Sequence, residues 1–365
     1  MIETRNLIAP KLSDSNLGNK ILGHRPCRHG PPRIEIEKKK YNGKIKIIGH
    51  NYGHAGSGWT LAPAIVYHLN KLLVEEIEEN ERIKEIKDKN YKELPLCIIG
   101  AGVIGLFTAY DLLNKGFNNL TVIAESFEEL TSHIAGGLLA PFALEIENPS
   151  EQALIDKFCI ETYNFYLAIA QGKNTQFPSI CAQIVPAYVD EAVAKSLGDP
   201  YVIAGVMNPP KQVKIQFNTF PNKKQKLLFV VDKAILVQTN EMMNRIFNLL
   251  LESGKVKFIK KKIESFEQIE EADIIINCSG IGAKRICLDE KMFSIQGHLI
   301  NLKEQNEADL NYMITCHGKI GKSDSGQIVE RAFYFFPKRT IPSEKGSFGV
   351  IGGTFVHGEF LVTSY

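Results

Sequence analysis

The run Leu96-Cys-Ile-Ile-Gly-Ala-Gly-Val-Ile-Gly-Leu106 constrains this chain more than any other. An unbroken apolar strand enters Gly100-x-Gly102-x-x-Gly105, and a helical pattern follows from Leu106 to Asn114. That order describes a β-α-β dinucleotide-binding unit of an α/β fold. Its glycines permit a tight turn, let a pyrophosphate approach bare backbone at Ala101, Val103 and Ile104, and pack helix on strand. A second strand, Leu120-Thr-Val-Ile-Ala, ends at Glu125 and Ser126, 25 positions after the first glycine. A carboxylate at that place accepts hydrogen bonds from the hydroxyls of an unphosphorylated ribose. In chains built around this unit the motif commonly lies near the front. Here 95 residues precede it, and they do not read as a targeting peptide.

A length of 365 residues allows two domains with substantial cores. Composition is that of an ordinary soluble globular protein, and a net charge of +2 gives no reason to expect nucleic acid or membrane as a partner. No run approaches the roughly 18–20 apolar residues of a membrane span. Met1-Ile-Glu-Thr-Arg5 lacks the pattern of a signal peptide, and Thr363-Ser-Tyr365 is not a peroxisomal signal. The seven cysteines are odd in number and lack C-x-x-C pairs. They argue against a disulfide framework or a zinc site and for a reducing cytosol.

Along the chain, residues 33–38 and 44–49 alternate as two strands around Asn42-Gly43, a hairpin signal. The glycine-rich loop His50-Asn-Tyr-Gly-His-Ala-Gly-Ser-Gly-Trp-Thr60 then opens a helical pattern from Leu61 to about Lys89. Its first half is apolar enough to be buried. Residues 75–94 are dominated by charge and read as a solvated connector. Further on, residues 127–141 form a loop of small residues, 151–172 a helix, and 173–230 an irregular region of short strand-like runs. Residues 241–251 are helical, 255–259 and 272–280 are strands, and 293–302, 332–337 and 347–355 suggest a second, mostly antiparallel sheet.

These residues resemble the D-amino acid oxidase family of flavoproteins over most of the chain. Ile98-Ile-Gly-Ala-Gly-Val-Ile-Gly-Leu is similar to that family's opening strand and glycine loop, and Ile134-Ala-Gly-Gly-Leu-Leu-Ala-Pro141 to its flavin-contacting loop. The runs from Val256 and Asp273 resemble its later flavin-domain strands, and Tyr334-Phe-Phe-Pro337 and Val350-Ile-Gly-Gly-Thr354 its substrate-sheet strands. Two further motifs, which the family carries at its C-terminal end, stand here at the front: Arg25-Pro-Cys-Arg28 and the His50–Thr60 loop. The chain therefore reads as a circular permutation, opened just after Gly353–Gly358 and joined through the connector. Surface termini and exposed loops tolerate such rearrangement, and a connector of about 20 residues spans roughly 30 Å as a helix.

The resemblance implies FAD as cofactor. It implies a Rossmann-type FAD-binding domain from 50–74, 95–172 and 226–290, and a substrate domain from 1–49, 173–225 and 291–365. The family pattern would place FAD against Gly100 to Gly105, Glu125, Ser126, Thr131, Ser132, Gly136, Gly137, Leu138, Ile263, Ser279 and Gly280. It would be met from the other side by Gly56, Ser57, Gly58, Trp59 and Thr60. Arg25 matches the carboxylate-binding arginine and Tyr334 an active-site tyrosine, with Gly56 beside the substrate and Arg28 structural. Many members carry a lid tyrosine four positions before the Tyr334 equivalent, where this chain has Glu330. Leu61-Ala-Pro63 is closer to the glycine-oxidase branch. His50 and His54 lack partners at metal-ligand spacing, so no metal is expected.

The implied activity is oxidation of a D-amino acid by dioxygen to a 2-oxo acid, ammonia and hydrogen peroxide. Hydride would pass from Cα to the flavin, with Arg25 and Tyr334 orienting the substrate. D-aspartate oxidase, glycine or sarcosine oxidase, a dehydrogenase using another acceptor, and a flavoprotein remnant with a binding role are the alternatives. Arg331, Lys338 and Arg339 are candidates for meeting a side-chain carboxylate, and a homodimer is left open.

Overall fold

Two strands with no polar alternation set the centre of the molecule. Leu96–Ile99 and Ile274–Asn277 bury every residue, as strands covered on both faces do, and they pair in parallel with Leu96 opposite Ile274. The computed structural model describes residues 2–41, 43–79, 91–218, 225–322, 328–339 and 347–357. In it these strands lie mid-sheet in the order Val256–Lys260, Leu120–Ala124, Leu96–Ile99, Ile274–Asn277, Lys44–Tyr52, Arg33–Tyr41. Every junction is parallel except the last, where Arg33–Tyr41 and Lys44–Tyr52 form an antiparallel hairpin. Of the expected Asn42-Gly43 turn, Gly43 has φ +80°, a left-handed conformation that glycine adopts at little cost, and Asn42 lies outside the described residues.

The helix Ala64–Glu79 runs beside the nucleotide-motif helix Val103–Asn114. Its buried face carries Ile65, Val66, Leu69, Leu73 and Ile77, and a polar contact crosses between the helices, Asn70 Nδ2 donating to Asp111 Oδ2 at 2.9 Å. Beyond Glu79, residues 80–90 of the expected connector lie outside the described residues. The ends of that stretch meet: Tyr91 Oη donates to Glu78 Oε1 at 3.0 Å, and the Tyr91 ring packs on Phe117. The two ends of the undescribed stretch therefore lie side by side.

Among the described residues the second sheet has nine strands, in the order Thr4–Leu7, Lys211–Phe217, Gln225–Val231, Ala187–Val189, Met313–Lys322, Ile328–Arg339, Ser347–His357, Met292–Lys303, Leu17–Arg28. It is antiparallel except where Thr4–Leu7 meets Lys211–Phe217 and Ala187–Val189 meets Met313–Lys322. Ala182–Ile184 and Ile235–Val237 make a small ladder of their own.

The sheets divide the chain differently from the sequence reading at two places. The hairpin 33–49, assigned to the substrate domain, belongs to the parallel sheet, because Ile47 to His50 pair with Ile274 to Asn277. Gln225–Val231, assigned almost wholly to the FAD domain, pairs with Lys211–Phe217 in the larger sheet. The helix Glu191–Ile203 lies in the stretch read as irregular. Asp190 caps it, accepting from Val193 N at 3.0 Å, and it buries Val193, Leu197 and Tyr201 at helical spacing.

Candidate active site between the two sheets

At the front of the helix Val103–Asn114, Gly102 is the N-cap residue and offers no side chain to the free N–H groups. Gly100 has φ +104°, and a Cβ there would collide with the Cys278 carbonyl. A Cβ on Gly105 would run into the Gly100 carbonyl, so this glycine serves helix-on-strand packing and stands behind the cavity wall. The open helix end faces a cavity bordered by Gly100, Ala101, Gly102, Val103 and Ile104, the geometry that holds an anionic group by backbone donors and helix dipole. Ser132 Oγ already accepts from Val103 N at 2.9 Å. Glu125, at the end of Leu120–Ala124, borders the same space with Ser126, Ile263, Ser279 and Gly280, and Lys262 Nζ reaches its Oε1 at 3.2 Å.

Further along, two loops face each other. Gly136 lies flat against Phe336, where a Cβ would approach the ring to 2.7 Å, and Gly137 has φ +89°. Gly136, Gly137 and Leu138 line one wall with Thr131 and Ser132, while Gly56, Gly58 and Trp59 line another. Trp59 Nε1 donates to the Ser132 carbonyl at 2.9 Å and ties the loops together. Ser57 and Thr60 stand behind the wall. Ser57 Oγ donates to Phe142 O at 2.9 Å and accepts from Phe142 N at 2.8 Å. Thr60 Oγ1 does the same with Ala140, at 2.8 and 2.9 Å. Both hydroxyls lock loop to loop, a use their spacing does not announce.

Lys338 is fully enclosed, 1% exposed, and donates to His133 O, Ala135 O and Thr239 Oγ1 from beneath the 133–137 loop. Burial pushes its pKa down to about 7. Arg339 pairs with Glu307 at 3.1 Å, outside this cavity. Of the three cations considered for a side-chain carboxylate, only Arg331 borders it.

Arg25 and Tyr334 come to the same cavity from different strands of the larger sheet. Arg25 lies opposite Ile295, which lies opposite His357. Its guanidinium folds across Gly297, where any Cβ would stand 2.6–2.8 Å from it, and stacks on Phe355 at 4.3 Å. Its Nη1 is buried with no hydrogen-bond partner. Burial lowers the Arg25 pKa, while the Tyr334 phenol nearby pulls it upward. Tyr334, 8% exposed, stacks on Phe336 at 4.7 Å; burial raises its pKa and Arg25 opposes the rise. Arg28 is bound elsewhere, to Asp289 at 2.9 Å and Pro31 O at 2.7 Å.

The sequence reading did not single out Asn51. It is 1% exposed, its Oδ1 accepts from His54 Nε2 at 2.9 Å, and its Nδ2 is buried without a partner at the cavity wall. The signal was there, inside the His50–Thr60 loop, but Asn in a glycine-rich loop reads as turn chemistry. Burial holds the His54 pKa at about 3, so it is a neutral donor to Asn51. His50 is engaged with Glu37 at 3.0 Å. Among the described residues no cluster of three metal-ligating side chains forms.

The cavity measures about 1940 Å³, well beyond the ~300–1,000 Å³ of ordinary small-molecule sites. A family model described as FAD dependent oxidoreductase matches residues 95–360. The chain belongs to this family, and its cofactor is FAD. The glycine cradle at the helix end, the Glu125 carboxylate and the unpartnered Asn51 donor all fit that group. Among curated relatives, a D-amino acid oxidase of Dugesia ryukyuensis is 26% identical over 215 residues, covering 57% of this chain and 60% of its own. A D-aspartate oxidase of Homo sapiens is 23% identical over 214 residues, covering 57% and 59%. The chain thus spans about three fifths of the length of these relatives. A solved glycine oxidase from Bacillus cereus superposes with a TM-score of 0.47 at 14% identity, covering 75% of this chain and 74% of that one.

A Cβ on Gly102 meets only Ser132 Oγ, at 3.2 Å, so Gly102→Val should fold while its side chain fills the space before the helix end. The expected outcome is a protein with unchanged circular dichroism that purifies without flavin; full flavin content would refute the cradle.

A second prediction concerns pH. The Lys338 pKa is about 7 in the fold and roughly 10.4 when unfolded. Between those values the unfolded chain binds more protons, so this group's contribution to stability rises with pH. The unfolding free energy of the parent relative to Lys338→Met should therefore be lowest near about pH 6 and climb toward about pH 10. Denaturant titrations giving a flat difference would contradict the buried, weakly basic amine.

Proposed function

We propose that this chain is an oxidase of D-amino acids, and the observation that carries the proposal is Arg25. Its guanidinium lies half-buried with Nη1 unpartnered, and among the described residues it makes no ion pair, although Glu145 and Glu330 border the same cavity. A planar two-pronged cation kept free in a partly dry site suits a carboxylate brought by a substrate. Tyr334 adds a phenol on the same sheet face, and Phe142, Phe336 and Leu299 supply apolar walls that exclude water. Two groups holding one carboxylate leave the substrate few orientations, and orientation accounts for much of the rate of such a reaction. Bound FAD would supply the acceptor for the two electrons of the Cα–H bond and pass them to dioxygen. The balanced reaction converts a D-amino acid, dioxygen and water to a 2-oxo acid, ammonia and hydrogen peroxide. The D configuration rests on the relatives' names.

The order of the chain is part of the proposal. Residues 1–94 lie outside the matched family segment, yet they deliver Arg25, Asn51 and the Gly56–Trp59 loop to the cavity that Tyr334 also lines. We read this as a circular permutation, and the meeting of Glu78 with Tyr91, close to the two ends of the stretch 80–90, supports it. The seven unpaired cysteines support a reducing cytosol as the compartment.

Arg25→Leu should leave flavin content intact while weakening reduction of the flavin by D-amino acids under anaerobic conditions. The loss should correspond to roughly 3–5 kcal/mol in kcat/KM, the cost of removing one side of a desolvated charge pair. Unaltered reduction kinetics would end the assignment. Transferring residues 1–94 to follow residue 365 through a flexible linker, with Pro95 as the new start, should keep fold and flavin, since loop closure depends weakly on length. A rearranged chain that folds but binds no FAD would refute the permutation.

A further inference from the structure

The strand Ile328–Arg339 presents Glu330, Ala332, Tyr334 and Phe336 to the cavity, the two-residue alternation of one sheet face. On the neighbouring strand, Phe355 lies directly opposite Glu330. Phe355 is also the ring on which the Arg25 guanidinium rests, at 4.3 Å. The Arg25 guanidinium, Phe355 and Glu330 therefore stand in line across the sheet, all three residues bordering one space. With opposite Cβ atoms about 5 Å apart across a strand pair, cation and carboxylate face each other over a gap of roughly 10 Å, floored by the phenyl ring. Glu330 has 48% of its side chain exposed and a distant partner, His357 Nε2 at 3.6 Å. Of the other carboxylates bordering the cavity, Glu145 is already held by His29 at 3.0 Å and Glu125 by Lys262 at 3.2 Å.

Resting on the oxidase reading above, we propose that Glu330 determines specificity: the preferred substrates are D-amino acids with a cationic side chain. With the α-carboxylate on Arg25, the side chain leaves over Phe355 toward Glu330. Lysine's four-carbon stem, or the similar reach of arginine, crosses that gap and brings its cation to the carboxylate. An alanine methyl does not reach, and the carboxylate of aspartate or glutamate meets a like charge, so both attraction and repulsion favour the cation. Arg331, next on the strand, borders the same space but starts from the opposite face by alternation.

The test uses the FAD-loaded protein with D-lysine, D-arginine, D-alanine, D-aspartate and D-glutamate, measuring kcat/KM and anaerobic flavin reduction. Expected is a cationic substrate ahead of D-alanine and the acidic pair last. In Glu330→Gln the ratio of D-arginine to D-alanine should fall roughly tenfold or more, the scale of losing one partner of a partly desolvated charge pair. Glu330→Lys, a reversal at an exposed position, should move preference toward D-glutamate. Preference for an acidic or neutral substrate, or a ratio that neither variant changes, overturns the inference and leaves the oxidase reading in place. If no D-amino acid of any charge reduces the bound flavin, the oxidase reading fails and this inference fails with it.

Discussion

The parallel pairing of Lys44–Tyr52 with Ile274–Asn277 is the interaction on which the rest of the molecule depends. Without that strand, the nucleotide-binding sheet would end at Ile274–Asn277 with an unpaired edge, and Asn51, His54 and the Gly56–Trp59 loop would have no fixed place. The strand is held by more than its ladder. Lys46 is 3% exposed and donates to Ile269 O at 2.7 Å and Ala272 O at 2.6 Å, while Ile48 is fully enclosed. A buried ammonium satisfied by carbonyls of one neighbouring turn fixes register as well as adjacency. The same constraint positions Arg25: its neighbour Pro26 accepts from Ala55 N at 2.9 Å, so the substrate-binding strand is tied to the loop that this pairing orders.

The electrostatic character of the site follows from what its charged groups are denied. Gly297 removes the side chain that would lift the guanidinium off the sheet, Phe355 offers a π face in place of a carboxylate, and Glu145 is taken by His29. Burial then favours the neutral form of each enclosed group, lowering Arg25 and raising Tyr334. The two act on each other in opposite senses, so a ligand charge entering between them changes both. Such a cavity is arranged for a partner that brings its own negative charge.

How much of this was legible in the sequence depended on how local the cause was. The strand–glycine–helix run at Leu96–Gly105 is local, and its glycines serve the contacts their spacing suggests. The helix Glu191–Ile203 was hidden because Gly198 and Pro200 interrupt it, while its support comes from an aspartate cap and buried residues at helical spacing, Leu197 and Tyr201 among them. Met313–Lys322 was missed because Gly318 and Gly321 break its alternation; Gly318 is needed where a Cβ would strike the Arg331 carbonyl. Lys338 reads as a candidate partner for a substrate carboxylate, and only its enclosure beneath the 133–137 loop shows that its ammonium is spent on backbone carbonyls. Nor does the sequence reveal cross-strand registers: that Glu330 faces Phe355, and Phe355 carries Arg25, depends on shifts of pairing along Ser347–His357.

The same strand pairing has a consequence for the order in which the protein is made. Ile47 lies opposite Ile274, so one edge of an early-synthesised hairpin finds its partner only after more than two hundred further residues have left the ribosome. Until then Lys44–Tyr52 offers open backbone donors and acceptors on a sequence rich in isoleucine, the kind of edge that pairs with whatever strand arrives first. Four lysines at 38, 39, 40 and 44 bracket the turn of that hairpin. Their charge makes edge-to-edge contact between two nascent copies unfavourable, and so guards the hairpin during the interval that its place in the chain imposes.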